Sequence, residues 1–274
     1  MPQNSANHGL PLLEPWPSMT AFDWPQELVR MALEDPVLWV WCFDIDGTLI
    51  DLAPSPDAVK VPQSLLRDLT LMAQSQRHRI ALVTGRSLQD VRPRFPLPQT
   101  VAMAGNHGAE WEWQGTHHHD LRISQALPSL RRLARVFHQL EQEFPGTLVE
   151  DKTYSLSLHY RAMDPAQIPR LEKFVQQALA QEPPLTLLSS KKCWDVRVAE
   201  GPTKADGIAQ LVAPLSEPFR LLIFGDDRTD EDAFRAFPQA LNVHIGEGPS
   251  VATLSLPGPE AVRNLIATVA SNIP

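Results

Sequence analysis

The sequence predicts an α/β fold: a doubly wound, Rossmann-like parallel sheet into which a smaller α/β module is inserted. Three observations carry that expectation. Residues 37–43 form a near-continuous apolar run ending Trp39-Val40-Trp41-Cys42-Phe43, the pattern of a parallel strand buried on both faces. Strand and helix signals then alternate as far as Ala104, as a parallel sheet with covering helices requires. From about residue 109 the period changes, and the parallel pattern resumes only at Pro202.

Residues 1–36, rich in Pro and Trp, read as an N-terminal extension with a short helix at 24–33. After the strand at 37–43, Pro62 opens a helix whose Leu65, Leu66, Leu69, Met72 and Ala73 keep a helical period. Ile80-Ala81-Leu82-Val83 is a strand, Ser87 starts a short helix, and a strand is expected over 101–104. Ala109-Glu110-Trp111-Glu112-Trp113 alternates, with Trp111 and Trp113 expected to pack on the inserted module. Leu130, Leu133, Phe137, Leu140 and Phe144 mark an amphipathic helix. Residues 154–161 alternate strictly, as an antiparallel strand with one open face does. A helix at 165–181 and strands at 185–190 and 193–198 complete the module. The outer pattern continues with a helix from Pro202, a strand at 219–224, a helix from Thr229, a strand at 240–245 and a final helix from Glu260. The expected domains are therefore 37–114 with 200–274 as a core, and 115–199 as an inserted cap.

A length of 274 residues suffices for one large α/β domain plus a smaller one. Hydrophobic content of 43% with 20% charged residues is that of a folded soluble chain, and no apolar stretch reaches the length of a membrane span. Pro11, Glu14, Pro15 and Pro17 interrupt any secretory h-region, so a cytoplasmic protein with reduced Cys42 and Cys193 is expected. A net charge of −8 argues against nucleic-acid binding. An anionic small molecule would need local positive charge from a metal, lysines or helix N-termini. A monomer is the expected state.

The chemistry concentrates where the parallel strands end. Asp44-Ile45-Asp46-Gly47-Thr48 places two carboxylates, one residue apart, in a glycine turn, and strand parity would point both into one pocket. Carboxylates that close resist joint ionisation, so either a cation sits between them or one is protonated. Val83-Thr84-Gly85-Arg86 supplies a hydroxyl after a second strand. Gly225-Asp226-Asp227-Arg228-Thr229-Asp230 supplies carboxylates after a third. Lys204 falls in the first turn of a helix, where the dipole alone disfavours a cation and a nearby anion would remove the conflict. All four segments would meet at the carboxyl edge of the sheet, where open α/β sheets hold ligands.

These segments resemble, in order, the four motifs of the haloacid-dehalogenase (HAD) superfamily of phosphatases. Asn106-His107-Gly108-Ala109-Glu110, Glu150-Asp151-Lys152 and Gly225 to Phe234 are similar to the trehalose-6-phosphate phosphatase family, over about residues 37–245. The resemblance implies hydrolysis of trehalose 6-phosphate with Mg2+. Asp44 would be the nucleophile that becomes a transient aspartyl phosphate, and Asp46 the general acid and base. The Asp44 carboxylate, the Asp46 main-chain carbonyl and the Asp226 carboxylate would hold the metal, supported by Asp227 and Asp230. Oxygen-only ligation suits Mg2+ better than Zn2+.

By the same resemblance, Thr84 and Lys204 bind the phosphoryl oxygens. Glu150, Lys152 and Asp195 on the cap bind sugar hydroxyls, although the family usually has the longer Glu where Asp195 stands. Arg86, Asn106, His107 and Gly108 would lie near the domain junction and contact the phosphate or the sugar. The run His117-His118-His119 is expected in the linker to the cap and not to ligate a metal, since adjacent residues rarely converge on one ion. Rival readings are a phosphatase for another sugar phosphate, such as sucrose phosphate or a glycosyl-glycerate phosphate, a phosphomutase, and a non-catalytic sugar-phosphate sensor.

Overall fold

The computed structural model describes residues 10–13, 16, 24–53, 58–190 and 192–273. Most of the Pro-rich stretch before residue 24 lies outside the described residues. The chain divides into two compact units, Met1–His118 with Thr203–Pro274, and His119–Pro202.

In the first unit the elements are α1 (Trp24–Glu34), β1 (Leu38–Phe43), α2 (Gln63–Gln74), β2 (His78–Val83), α3 (Leu88–Arg94), β3 (Ala102–Gly105), β4 (Glu110–Trp113) and β5 (Thr116–His119). The inserted unit contributes α4 (Leu121–Glu143), β6 (Leu148–Asp151), β7 (Leu156–His159), α5 (Ile168–Leu179), β8 (Leu185–Ser190) and β9 (Cys193–Val198). The first unit then resumes with α6 (Lys204–Val212), β10 (Phe219–Gly225), α7 (Arg228–Ala236), β11 (Leu241–Ile245), β12 (Leu254–Leu256) and α8 (Pro259–Asn272).

The main sheet runs β12-β11-β10-β1-β2-β3-β4-β5. Its pairs are parallel from β12 through β3, and β4 turns antiparallel on β3. Strand β1 is buried at every residue, and its alternation splits the core in two. Trp39, Trp41 and Phe43 face a cluster built with Trp24 and Leu28 of α1, Leu65 and Leu69 of α2, and Val262 and Ile266 of α8. Leu38, Val40 and Cys42 face the other cluster, with Ile208 and Leu211 of α6 and Phe234 of α7. Helices thus cover both faces, the reason the strand lacks any polar position. On the first face the rings of Trp39, Trp41, Phe43 and Phe224 stack in a column, with centroids 5.8, 6.2 and 4.8 Å apart in succession.

The inserted unit is a β6-β7-β9-β8 antiparallel sheet. One face carries Leu156, Leu158, Trp194 and Val196, packed against Leu133 and Phe137 of α4 and Leu171 and Val175 of α5. No helix among the described residues is long and apolar enough to cross a membrane.

Three local expectations need correction. Helix α6 begins at Lys204 with Thr203 as its cap, not at Pro202. The Thr203 hydroxyl accepts from the Asp206 amide while the Asp206 carboxylate accepts from the Thr203 amide, and this reciprocal cap outcompetes a proline start. The histidine run, where the chain passes from the first unit into the insertion, is an ordered strand and not a loop. It forms most of the exposed strand β5, reached by a two-residue turn in which Gln114 (φ 49°) and Gly115 (φ 77°) both take positive φ. Trp111 and Trp113, expected on the insertion, pack against the α6 side of the first unit, with Trp111 stacked on His118. Helix α4 begins at Leu121, where Asp120 caps it by accepting from the Arg122 amide, and its buried stripe already includes Ile123 and Ala126.

Candidate active site

The strand order reverses between β1 and β10, the switch point at which doubly wound sheets open a crevice. Chain ends from both strands converge there. Asp44 follows β1 directly, and its amide donates to the Phe224 carbonyl of β10 at 2.9 Å. Asp226 follows β10. The turn after β1 brings Gly47 (φ +86°) so near this carboxylate that a Cβ would lie 2.2 Å from Asp226 Oδ2. Only glycine satisfies both the left-handed backbone and the close approach.

Lys204 enters from the first turn of α6. Its Nζ lies 2.7 Å from Asp44 Oδ1 and 2.8 Å from Asp230 Oδ1, with Asp227 Oδ1 at 3.7 Å. The side chain is 3% exposed. The conflict between a lysine and the positive end of a helix is resolved by these carboxylates. Asp230 is in turn fixed by the Asp226 and Asp227 amides, both donating to Oδ2 at 3.1 Å. Asp227 caps α7, accepting from the Thr229 and Asp230 amides.

The electrostatics of this cluster are those of too many acids for one lysine. Burial pushes the Asp44 carboxyl up to about 7 against the opposing pull of Lys204. Burial, with the charges of Asp230 and Asp227, pushes Asp226 up to about 6. Burial also raises Asp230 well above the usual carboxylate range. For Asp227 burial is outweighed by Lys204 and by hydrogen bonds, which hold it low. Oxygens of Asp44, Asp226 and Asp230 all lie within 4.8 Å of one another. An oxygen-only set with surplus negative charge fits a hard divalent cation, whose binding would relieve the repulsion.

Asp46 takes different partners. Strand parity ends with β1 at Phe43, so Asp46 lies in the turn, and its carboxylate is gripped by Arg86: Nε to Oδ2 at 2.6 Å and Nη2 to Oδ1 at 2.8 Å. Thr84, buried at the end of β2, accepts the Arg86 amide at 3.2 Å with its Oγ1. Its carbonyl accepts the His107 amide at 2.9 Å.

The turn 106–108 is built from three consecutive left-handed residues, Asn106 (φ 48°), His107 (φ 54°) and Gly108 (φ +92°). Gly108 touches the start of α6, where a Cβ would sit 2.1 Å from the Thr203 carbonyl oxygen. The His107 ring covers Gly85, and Asn106 Nδ2 donates to Glu110 Oε1 at 2.7 Å. Glu110 also accepts the Leu88 amide, which ties this turn to the start of α3.

In the inserted unit Glu150, Ser157 and Asp195 stand in one cross-strand row, and His159 and Cys193 in the next row of the same face. Lys152 Nζ lies 3.7 Å and His159 Nε2 3.2 Å from Glu150 Oε2. Hydrogen bonding to Cys193 and to Glu150 pushes the His159 imidazole up to about 9. Asp195 Oδ1 accepts from the Ser157 hydroxyl and lies 3.9 Å from Cys193 Sγ.

The expected residues thus fall into three groups. Asp44, Lys204, Asp226, Asp227 and Asp230 form one buried cluster. Thr84, Arg86 and Asp46, with Asn106, His107 and Gly108, form a chain of contacts beside it. Glu150 and Asp195 share a face of the second sheet, and Lys152, just past β6, reaches Glu150. Sequence reasoning missed Asp90, which accepts Arg86 Nη1 at 2.7 Å, though Arg86, Asp90 and Arg94 are spaced four apart, from just before α3 to its last residue. It also missed Ser157 and His159, whose partners follow only from the pairing register.

Comparison with known proteins agrees with this architecture. The sequence profile of the trehalose-phosphatase family matches residues 42–258. The chain is 34% identical over 242 residues to a probable trehalose-phosphate phosphatase of Sinorhizobium fredii (strain NBRC 101917 / NGR234), covering 85% of this chain and 88% of that one. It is 31% identical over 226 residues to the trehalose-6-phosphate phosphatase of Escherichia coli (strain K12), covering 80% and 82%. The crystal structure of a trehalose-6-phosphate phosphatase related protein shares the fold, with a TM-score of 0.75, 24% identity, and coverage of 85% and 97%. With the acidic cluster at the switch point of a HAD-like sheet, these matches place the chain in the trehalose-phosphatase family, a family of phosphoric monoester hydrolases.

Proposed function

We propose that this chain hydrolyses trehalose 6-phosphate to trehalose and inorganic phosphate in a Mg2+-dependent reaction through an aspartyl phosphate on Asp44. The observation that carries the reading is Asp44 itself, a carboxylate at the switch point with Lys204 Nζ 2.7 Å away and Asp226 beside it. Such a group has a nucleophilic oxygen, a cation to hold the transferring oxygens, and a second acid for a metal.

In the first step an Asp44 oxygen bonds to phosphorus as the bond from phosphorus to the sugar oxygen breaks. Asp46 gives its proton to that oxygen. In the second, water attacks phosphorus, Asp46 takes the water's proton, and the Asp44 carboxylate leaves. Lys204 and Thr84 hold the phosphoryl oxygens through both steps. The Asp44 and Asp226 carboxylates and the Asp46 main-chain carbonyl would hold Mg2+, with Asp230 and Asp227 fixing Asp226 and Lys204. Bound there, the ion supplies positive charge that keeps Asp44 ionised and offsets charge building on the phosphoryl group.

The substrate reading rests on the family and on the polar face of the inserted sheet, where Glu150, Lys152 and Asp195 would read sugar hydroxyls. Engagement of Asp195 by Ser157 fixes the orientation of the shorter acid. Phosphate release from trehalose 6-phosphate, sucrose phosphate, glucose 6-phosphate and an aryl phosphate, with Mg2+ and with chelator, tests both parts. A Mg2+-dependent preference for trehalose 6-phosphate is expected. Preference for another sugar phosphate would refute the substrate, and release of an isomerised sugar phosphate in place of phosphate would refute the hydrolase.

A further inference from the structure

Asp46 is the one group in the proposed chemistry that must both donate and accept a proton at a moving target, yet it lies in a turn outside β1. Its backbone is pinned by that turn, where Asp46 bridges Ile50 and the Gly47 amide donates to the Ile50 carbonyl at 2.8 Å. The side chain retains two torsions, and a general acid displaced by about 1 Å can lose about a hundredfold in rate. Something must hold it.

We propose that Arg86 is the positioning residue of Asp46, and that it acts on the reaction through this carboxylate and not as a ligand of the phosphoryl group or the sugar. The guanidinium meets both oxygens of Asp46 in a two-pronged grip, at 2.6 and 2.8 Å. Such a pair fixes orientation as well as distance. The third direction of the fork is spent on Asp90, with Nη1 to Oδ2 at 2.7 Å.

Asp90 does not move freely either. Its amide donates to the Ser87 hydroxyl that caps α3, and its other oxygen accepts from Arg94 Nε at 2.8 Å. Hydrogen bonds from Arg94 and Arg86 outweigh burial and hold the Asp90 carboxyl below its ordinary range. The backbone of Arg86 is tied at both ends, its amide to Thr84 Oγ1 and its carbonyl to the Asn106 amide at 2.7 Å. A line of alternating charge, Arg94, Asp90, Arg86 and Asp46, therefore runs from the last residue of α3 to the turn after β1. The geometry is that of a strut: when one Asp46 oxygen carries the proton, the other keeps a prong of Arg86, and the acid pivots about a fixed point.

The proposal rests on the reading of Asp46 as acid and base, and the test separates the two. Asp46→Asn, Arg86→Ala, Arg86→Lys and Asp90→Asn are compared with the parent protein at saturating Mg2+ on trehalose 6-phosphate and on p-nitrophenyl phosphate, in steady state and by stopped flow. Nitrophenolate leaves without a proton, so only the sugar ester needs the acid in the first step. Both substrates need the base in the second.

Arg86→Lys keeps the charge but cannot form the fork. It and Arg86→Ala are expected to lower kcat on trehalose 6-phosphate by about 100-fold or more. KM should change by less than about threefold, as expected when an interaction made only in the transition state is lost. On p-nitrophenyl phosphate both should give a rapid burst of about one equivalent of nitrophenolate followed by slow turnover, the same signature as Asp46→Asn. Asp90→Asn, which loosens the far end, should give a smaller effect of the same kind, and with Arg86→Lys it keeps the test decisive if Arg86→Ala does not fold. Loss of the burst with equal loss on both substrates, or a large rise in KM with kcat preserved, would make Arg86 a phosphate ligand and overturn the proposal. An Asp46→Asn protein that treats both substrates alike would overturn the acid–base reading beneath it.

Discussion

Lys204 and Asp44 form a buried ion pair, Nζ to Oδ1 at 2.7 Å, in which the lysine also serves Asp230. Removing the lysine strands two carboxylates in the interior, which typically costs about 3–5 kcal/mol. Lys204→Ala is therefore expected to unfold at markedly lower urea concentration without metal, and to recover part of that loss in millimolar Mg2+. Urea titrations with and without Mg2+ measure it. An identical deficit in both would show that the cation does not share this cluster.

Asp44→Asn removes the proposed nucleophile while relieving like-charge crowding around Asp226 and Asp230. Phosphate release should fall by more than about 1,000-fold, the scale of losing a covalent nucleophile. The melting temperature of the metal-free protein should stay the same or rise. A destabilised variant with substantial residual turnover would contradict the assignment.

Cation binding has its own readout in the protein without substrate. Mg2+ should raise the melting temperature of the parent chain and chelator should reverse it, because a ligand bound only by the native state stabilises it by mass action. Asp226→Asn should lose most of that shift. A parent protein indifferent to divalent ions in thermal scans would argue against the metal site.

Gly108 lies where backbone meets backbone, with its would-be Cβ 2.1 Å from the Thr203 carbonyl oxygen and φ at +92°. Gly108→Ala must shift either the 106–108 turn or the start of α6. It is expected to destabilise by about 2–3 kcal/mol and to weaken catalysis by displacing Lys204. Denaturant unfolding and phosphate release together check it, and a fully active, fully stable variant would refute the close approach.

Acid should attack the core through His78. Trp41 Nε1 donates to its Nδ1 at 3.1 Å, which fixes the neutral ring, and burial with help from Arg77 pushes the imidazole down to about 4. The unfolded chain, at about 6.5, takes up the proton first. The stabilisation is therefore complete above pH 6.5 and lost as pH falls toward 4, by up to about 3 kcal/mol. The difference in stability between the parent and His78→Phe should narrow over that window when followed by denaturant titration. A difference independent of pH would refute it.

How far these features were legible in the sequence depends on how local their causes are. Trp39 to Phe43 announced a strand covered on both faces because burial on two sides removes every polar position. Asp44, Thr84, Lys204 and Asp226 could be placed at one sheet edge from the order of strands alone. The grip of Arg86 on Asp46 was not legible, since strand parity stops at Phe43 and the turn re-aims the second carboxylate. The strand made by His117, His118 and His119 was hidden because its residues are polar and lie exposed at the sheet edge; its signal was the Gln114-Gly115 turn. The pairing of His159 with Glu150 depends on which residues of β6 and β7 face each other, a register no single strand encodes.

One of the two neighbours of β1 in the sheet is β10, with Leu38 opposite Phe219. Everything between them, including the whole inserted unit, must be synthesised before that pairing can close. Parallel contacts of such long sequence separation fold slowly, because the loop between them is ordered before the contact rewards it. Asp44 leaves the ribosome early and Asp226 late, so the acidic cluster is assembled only when the C-terminal third arrives. Assembly of the acidic cluster is thus a product of the last stage of folding, and a nascent chain stalled before β10 would carry the proposed nucleophile without its partners.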